Sequence, residues 1–204
     1  MKQKILESVQ QSISAIEQLT QSQNLAFMDA AARMISDCFL QGNKIIIAGN
    51  GGSLCDAAHF AEELTGFFRE PRQALPAIAL TEAGHITCTG NDLGFDYIFS
   101  RGVEAYGKPG DIFIGLTTSG NSPNIINAIE AAHQRQLKTI TFLGKGGGKL
   151  KGIAHLELLI NGFKTSDKIQ EAHMAAIHII IEMVEKLMET PAHQPEALIS
   201  LATL

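Results

Sequence analysis

The stretch Lys44-Ile-Ile-Ile-Ala-Gly-Asn-Gly-Gly-Ser53 decides the fold. A short apolar run breaks into a glycine-rich loop and then into residues at helical spacing. A run with no alternating polar positions suits a strand covered on both faces, as in a parallel sheet. Four further runs repeat the pattern: Pro76-Ala-Ile-Ala-Leu80, Asp111-Ile-Phe-Ile-Gly-Leu116, Lys138-Thr-Ile-Thr-Phe-Leu143 and Leu156-Glu-Leu-Leu-Ile160. Most are bounded by Gly, Pro, Asn or Asp, and the segments between them have helical character. Strands alternating with helices predict an α/β chain, a three-layer α/β/α sandwich around a five-stranded parallel sheet.

Upstream of this core, Ile5, Val9, Ile13 and Ile16 recur at helical steps. Met28, Ala32 and Ile35 do the same after a polar break at Gln21-Ser-Gln-Asn24, so residues 1–41 read as N-terminal helices. Downstream, a long helix is expected from Ser166 to Met188. The stretch Thr190-Pro-Ala-His-Gln-Pro195 then reads as a linker into a short tail, residues 190–204.

Composition narrows the function classes. The 204 residues carry 16 Lys and Arg against 21 Asp and Glu, a net charge of −5, with 45% hydrophobic residues. A weakly acidic chain without a dense basic block argues against non-specific binding to nucleic acid or anionic membranes. Cys38, Cys55 and Cys88 are odd in number and lack CxxC spacing, so they read as reduced thiols of a cytoplasmic protein. The N-terminus has no apolar core of signal-peptide type. The most apolar run, Ile177 to Val184, is interrupted by Glu182 and falls far short of the ~20 residues that span a bilayer.

Four constellations carry possible chemistry. Gly49-Asn-Gly-Gly-Ser53 follows the first strand, as a tight turn or as bare backbone approaching a ligand. It fails as a dinucleotide fingerprint: Leu54 stands where a small residue belongs, and Glu70 precedes the second strand. No nucleotide cofactor is expected. Thr117-Thr-Ser-Gly-Asn-Ser-Pro123 follows the third strand and opens a helix. Clustered hydroxyls, a glycine and a helix N-terminus suit a phosphate. A Ser N-cap with Pro at the first helical position accounts for Ser122-Pro123, but not for the hydroxyls crowding the strand end. Lacking a P-loop lysine, the site fits a small phosphorylated metabolite better than a nucleotide.

Asp56, His59 and Glu63 share one helix face, as metal ligands, proton-transfer groups or a merely solvated surface. On the last helix stand Asp167, Gln170, Glu171, His173 and His178. His178 sits among isoleucines, either as a core histidine paired with Glu182 or as a working imidazole. Gln170 and His178 are about 12 Å apart along the axis and roughly 80° apart around it. A site that uses both is easier to build at a subunit boundary.

Gly49-Asn-Gly-Gly-Ser-Leu-Cys-Asp-Ala-Ala-His-Phe-Ala-Glu-Glu-Leu-Thr-Gly66, Gly90-Asn-Asp92, Thr118-Ser-Gly-Asn-Ser122 and Ile169-Gln-Glu-x-His173 with His178 resemble the phosphoheptose isomerase family of the sugar isomerase (SIS) superfamily. The resemblance implies a single SIS domain over 1–189, with the helices of 1–41 used in oligomer packing. It implies aldose–ketose isomerisation of sedoheptulose 7-phosphate to D-glycero-D-manno-heptose 7-phosphate through an enediol, the entry to nucleotide-activated heptoses for lipopolysaccharide core. By position it makes Glu63 the general base and His178 the general acid. Asn50, Gly51, Gly52, Ser53, Asn91 and Asp92 become substrate contacts, as do Thr117, Thr118, Ser119, Ser122, Asp167 and Gln170, together with Glu63 itself. It further implies a zinc per subunit on His59, Glu63, Gln170 and His178, and a cytoplasmic homotetramer with sites between subunits and no nucleic-acid or membrane partner. Leu54 and Thr117 depart from the residues common in the motif, His and Ser. The competing readings are a non-catalytic SIS adaptor that binds a replication initiator, and an isomerase of another sugar phosphate.

Overall fold

A computed structural model describes residues 1–189; the expected tail, 190–204, lies outside the described residues. Two N-terminal helices, α1 (Lys2–Glu17) and α2 (Ser22–Leu40), precede strand β1 (Ile45–Gly49) and helix α3 (Gly52–Thr65). Then follow β2 (Ala77–Ala79), α4 (Ala83–Asp92), α5 (Ile98–Tyr106), β3 (Ile112–Thr117), α6 (Pro123–Gln134), β4 (Lys138–Gly144), β5 (Leu156–Ile160) and α7 (Ser166–Met188). The five strands form one parallel sheet in the order β2-β1-β3-β4-β5, with Ile47 opposite both Ala79 and Ile114, and Thr117 opposite Leu143.

The pleat sorts the apolar runs onto two cores. Ile45, Ile47, Ile112, Ile114 and Phe142 face α1, α2, α3 and α7, while Ile46, Ala48, Phe113 and Leu143 face α5 and α6. Both faces are covered, which is why the strands read as unbroken hydrophobic runs. The second run is shorter than its sequence suggests, only Ala77–Ala79. It is the edge strand, pairs with β1 alone, and begins after a proline with no N–H to donate. At the strand N-termini the buried Asp111 carboxylate accepts from the Lys44 and Lys108 backbone N–H groups, each at 3.0 Å, and also pairs with the Lys44 ammonium.

This strand order has a consequence for ligands. The chain leaves β1 toward β2 on one side and reaches β3 on the other, so a crevice opens beyond the carboxyl ends of β1 and β3. The loops there are Gly49–Ser53 and Thr117–Ser122.

Candidate active site

That crevice is a cavity of about 370 Å³ lined by Asn50, Gly52, Ser53, Leu116, Thr117, Thr118, Ser119, Ser122, Ser166 and Gln170. Three helices, α3, α6 and α7, present their N-terminal ends to it, and among the described residues none has a side-chain cap there. The positive ends of their dipoles favour an anion. Ser122 shows how the loop is used. Its hydroxyl does not cap α6, as the Ser-Pro pair predicts, but sits 3.1 Å from the Thr117 hydroxyl inside the cavity. Thr118 and Ser166 hydroxyls pair at 3.0 Å. Asn50 and Asn124 exchange two amide hydrogen bonds of 2.9 Å, which lock the two loops to each other. Gly52 packs against the Gln170 amide, which a Cβ there would meet at 2.6 Å and push aside; that amide donates to the Ser53 hydroxyl at 3.2 Å.

A second cluster lies further along the same pair of helices. α3 and α7 run side by side in the same direction, so Ser53 meets Gln170 at one level and His59 meets His178 at the next, about two turns on. His59 Nε2 is 3.1 Å from Glu63 Oε1, and the His59 and His178 rings stand edge to face with centroids 5.2 Å apart. The nearest ligand atoms of His59, Glu63 and His178 all lie within 4.8 Å of one another, all three side chains being half-buried. Two imidazole nitrogens and a carboxylate oxygen suit a borderline divalent ion such as zinc. They equally suit a proton relay, because each atom offers a lone pair that takes either a metal or a proton.

Phe68 stacks on His178 at 5.4 Å, and the Arg69 guanidinium lies 5.2 Å above Phe68. Partial burial, then the neighbouring His59, lowers the His178 pKa; Glu63 opposes this and Arg69 adds to it. This favours the neutral form of the ring. Pairing of His178 with Glu182 does not occur, because Arg69 at 2.9 Å and Lys186 at 2.7 Å take that carboxylate. Asp56 lies between the two clusters on α3, one carboxylate oxygen buried without a partner among the described residues, and burial raises its pKa to about 6.

Eight of the residues expected to touch substrate line the cavity: Asn50, Gly52, Ser53, Thr117, Thr118, Ser119, Ser122 and Gln170. Gly51 turns the chain into α3 at φ +56° without lining it. Asp167 is exposed on the first turn of α7, the Thr165 hydroxyl holding its carboxyl below the usual range. Asn91 and Asp92 end α4, bonded to each other at 2.7 Å, and do not line the cavity. Of the four expected zinc ligands, His59, Glu63 and His178 converge, whereas Gln170 turns to Ser53.

Sequence reasoning missed Ser166, Phe68 and Arg72. Arg72 ties the end of α3 in place, donating to the carbonyls of Glu63 and Leu64 at 2.8 Å while pairing with the buried Glu185 of α7 at 2.7 Å. Glu185 also accepts from the Phe68 N–H, so one ion pair orients both Glu63 and the ring stacked on His178. Only the acidic-basic composition of the segment hints at this.

Comparison with known proteins agrees with these features. Residues 6–144 match the SIS domain family. The chain is 57% identical over 160 residues to a phosphoheptose isomerase of Fusobacterium nucleatum, covering 78% of this chain and 82% of that one. A phosphoheptose isomerase structure from Neisseria gonorrhoeae aligns with a TM-score of 0.82 at 35% identity, over 91% of this chain and 98% of that one. One from Francisella tularensis gives 0.84 at 34%, over 90% and 97%. With the sheet order and the hydroxyl-lined crevice at its switch point, this identity and coverage place the chain in the phosphoheptose isomerase family of SIS-domain proteins.

Proposed function

We propose that the protein interconverts sedoheptulose 7-phosphate and D-glycero-D-manno-heptose 7-phosphate, feeding nucleotide-activated heptose for lipopolysaccharide core in the cytoplasm. The observation that carries this reading is the alignment of an anion cradle and a carboxylate–imidazole cluster along one pair of helices. The phosphate end of the substrate binds the cradle, and its binding energy orients the carbonyl end. The Glu63 carboxylate removes the C1 proton of the open-chain ketose. The neutral His178 ring donates its N–H proton to O2 and recovers the proton of O1, so that an enediol forms and collapses toward a C1 carbonyl. Return of the carbon proton to C2 completes the aldose. No atom or electron is gained or lost overall.

His59, Glu63 and His178 would also hold zinc, with Gln170 as a fourth donor supplied by a neighbouring copy. Such an ion would supply Lewis-acid stabilisation of the enediolate oxygen. Glu63 cannot spend one lone pair on metal and proton at once, so tight zinc binding and the base role compete. A homotetramer with sites between subunits, packed through the helices of 1–41, is part of this proposal.

An isomerisation assay over five- to seven-carbon ketose phosphates tests the substrate; sedoheptulose 7-phosphate should give the highest kcat/KM. Glu63→Gln and His178→Gln should each lower kcat by 10³-fold or more, on the order expected for losing a general base or acid, without loss of folding cooperativity. Near wild-type turnover in either would refute the assignment. Metal analysis of protein prepared without chelator should find about one zinc per chain and a lower content in His59→Ala. Repeated preparations without zinc would remove the metal.

A further inference from the structure

Among the described residues the cavity lining holds no Lys or Arg, although its hydroxyls and helix N-termini suit a phosphate. An ammonium reaches its rim from a segment the sequence motifs did not mark. β4 ends in Gly144-Lys-Gly-Gly147, where the Gly147 N–H donates to the Gly144 carbonyl at 2.9 Å, and Lys145 and Gly146 have φ of +50° and +88°. Positive φ at both central positions marks a type I′ turn, which favours Asn, Asp or Gly. A lysine there is a backbone misfit. Such a misfit persists where its surroundings hold it, and it points to a use for the side chain.

The surroundings are specific. Gly120 of the cradle loop lies against the Gly147 carbonyl so closely that a Cβ would stand 1.8 Å from that oxygen. The Gly146 N–H donates to Asn161 Oδ1 at 2.9 Å, and the Lys149 N–H to Asn121 Oδ1 at 3.1 Å. Held by these bonds, Lys145 places its Nζ 3.4 Å from the Ser166 hydroxyl, which lines the cavity and bonds Thr118. Among the described residues the one hydrogen bond of the ammonium is to a neutral hydroxyl, which leaves its remaining protons for an anion.

We propose that Lys145 is the phosphate-charge residue of this site, reaching over Ser166 to neutralise the dianion held by the three helix N-termini. The proposal rests on the isomerase reading for the identity of the substrate, but not for the binding of phosphate itself. It also explains the turn. A lysine that began within the cavity floor would be desolvated in the empty protein, whereas one on the rim stays hydrated until the anion arrives.

The test is calorimetric titration of the whole protein with inorganic phosphate at fixed ionic strength, for wild type, Lys145→Asn and Lys145→Arg. Asn accepts positive φ, so that variant removes charge while keeping the turn. Lys145→Asn should weaken phosphate binding about tenfold, the scale of one lost charge-assisted hydrogen bond, with kcat/KM for sedoheptulose 7-phosphate falling in parallel. Lys145→Arg should stay within about threefold of wild type, since it retains the charge. Equal phosphate Kd in wild type and Lys145→Asn overturns the proposal, as does an Arg variant as weak as the Asn one. Phosphate binding is read without turnover. A wild-type protein inactive on every sugar phosphate would therefore refute the isomerase reading and leave the Lys145 result to stand by itself.

Discussion

His173 shows how much one residue can set the response to acid. It is wholly buried on α7, its Nε2–H donates to the Leu143 carbonyl at 3.0 Å, and Nδ1 has no partner among the described residues. Burial pushes its pKa down to about 4. In the unfolded chain an imidazole titrates near ~6.5. Between these values the unfolded chain binds a proton that the folded chain refuses, so stability is full above pH 6.5 and falls as pH drops toward 4. The loss at the acid end amounts to about 3 kcal/mol. His173→Gln keeps an amide donor for the Leu143 carbonyl and removes the titration. Urea denaturation from pH 7 to pH 4 should give a flatter stability profile for the variant by that amount. Parallel profiles would show that another group controls the acid response. The sequence placed His173 beside Gln170 and His178 in one candidate cluster. Three residues around a helix from Gln170, it points into the sheet core, against Phe142 at 5.6 Å.

At the scale of elements, glycine positions separate tight packing from simple turning. Gly42 has φ +73° and open space around its Cβ position, whereas Gly120 at φ +65° faces the Gly147 carbonyl carbon at 2.4 Å as well as its oxygen. Both positions strain an L residue by ~1–2 kcal/mol. Only Gly120→Ala adds an overlap with backbone, worth a further ~1–3 kcal/mol. Chemical denaturation should therefore show Gly120→Ala less stable than Gly42→Ala by that margin, with weaker phosphate binding because the cradle loop and the β4 turn must part. Equal losses would mean that the contact is soft. The glycine-rich loops themselves were legible, since a strand followed by Gly-Asn-Gly-Gly-Ser or Thr-Thr-Ser-Gly-Asn-Ser has a local chemical reading. Their partners were not. Gly147 lies 27 residues beyond Gly120, Ser166 lies 48 beyond Thr118, and no periodicity couples them. The same holds for Arg72 and Glu185, joined across 113 residues. Ser122 does stand at the N-cap position before Pro123, as local rules read it, but the neighbouring strand end supplies Thr117 as a competing partner for its hydroxyl.

The whole molecule is organised around a helix whose amphipathicity runs the wrong way for a monomer. A helix on the surface of a single chain turns its apolar stripe to the core. In α1 the residues that face inward are the small Ser12 and Ala15, with Lys168 of α7 donating to the Ser12 hydroxyl at 2.8 Å. Ile5, Val9, Ile13 and Ile16 lie along one outer face and remain 57%, 48%, 51% and 42% exposed. The spacing read from the sequence was therefore right about the helix and silent about which side of it would be covered. A contiguous apolar stripe of this kind marks an association surface. The homotetramer proposed above would cover it with a second copy of this chain, whose Gln170 would join His59, Glu63 and His178 as the fourth zinc donor. Sedimentation should show a tetramer, and Val9→Glu with Ile13→Glu should dissociate it, since each charge would otherwise be buried unpaired. The dissociated protein should retain its far-ultraviolet circular dichroism, α1 being helical with an exposed stripe, yet lose isomerase turnover while still binding inorganic phosphate at the cradle. A stable monomer with full turnover would contradict the shared site and confine the chemistry to the groove between α3 and α7.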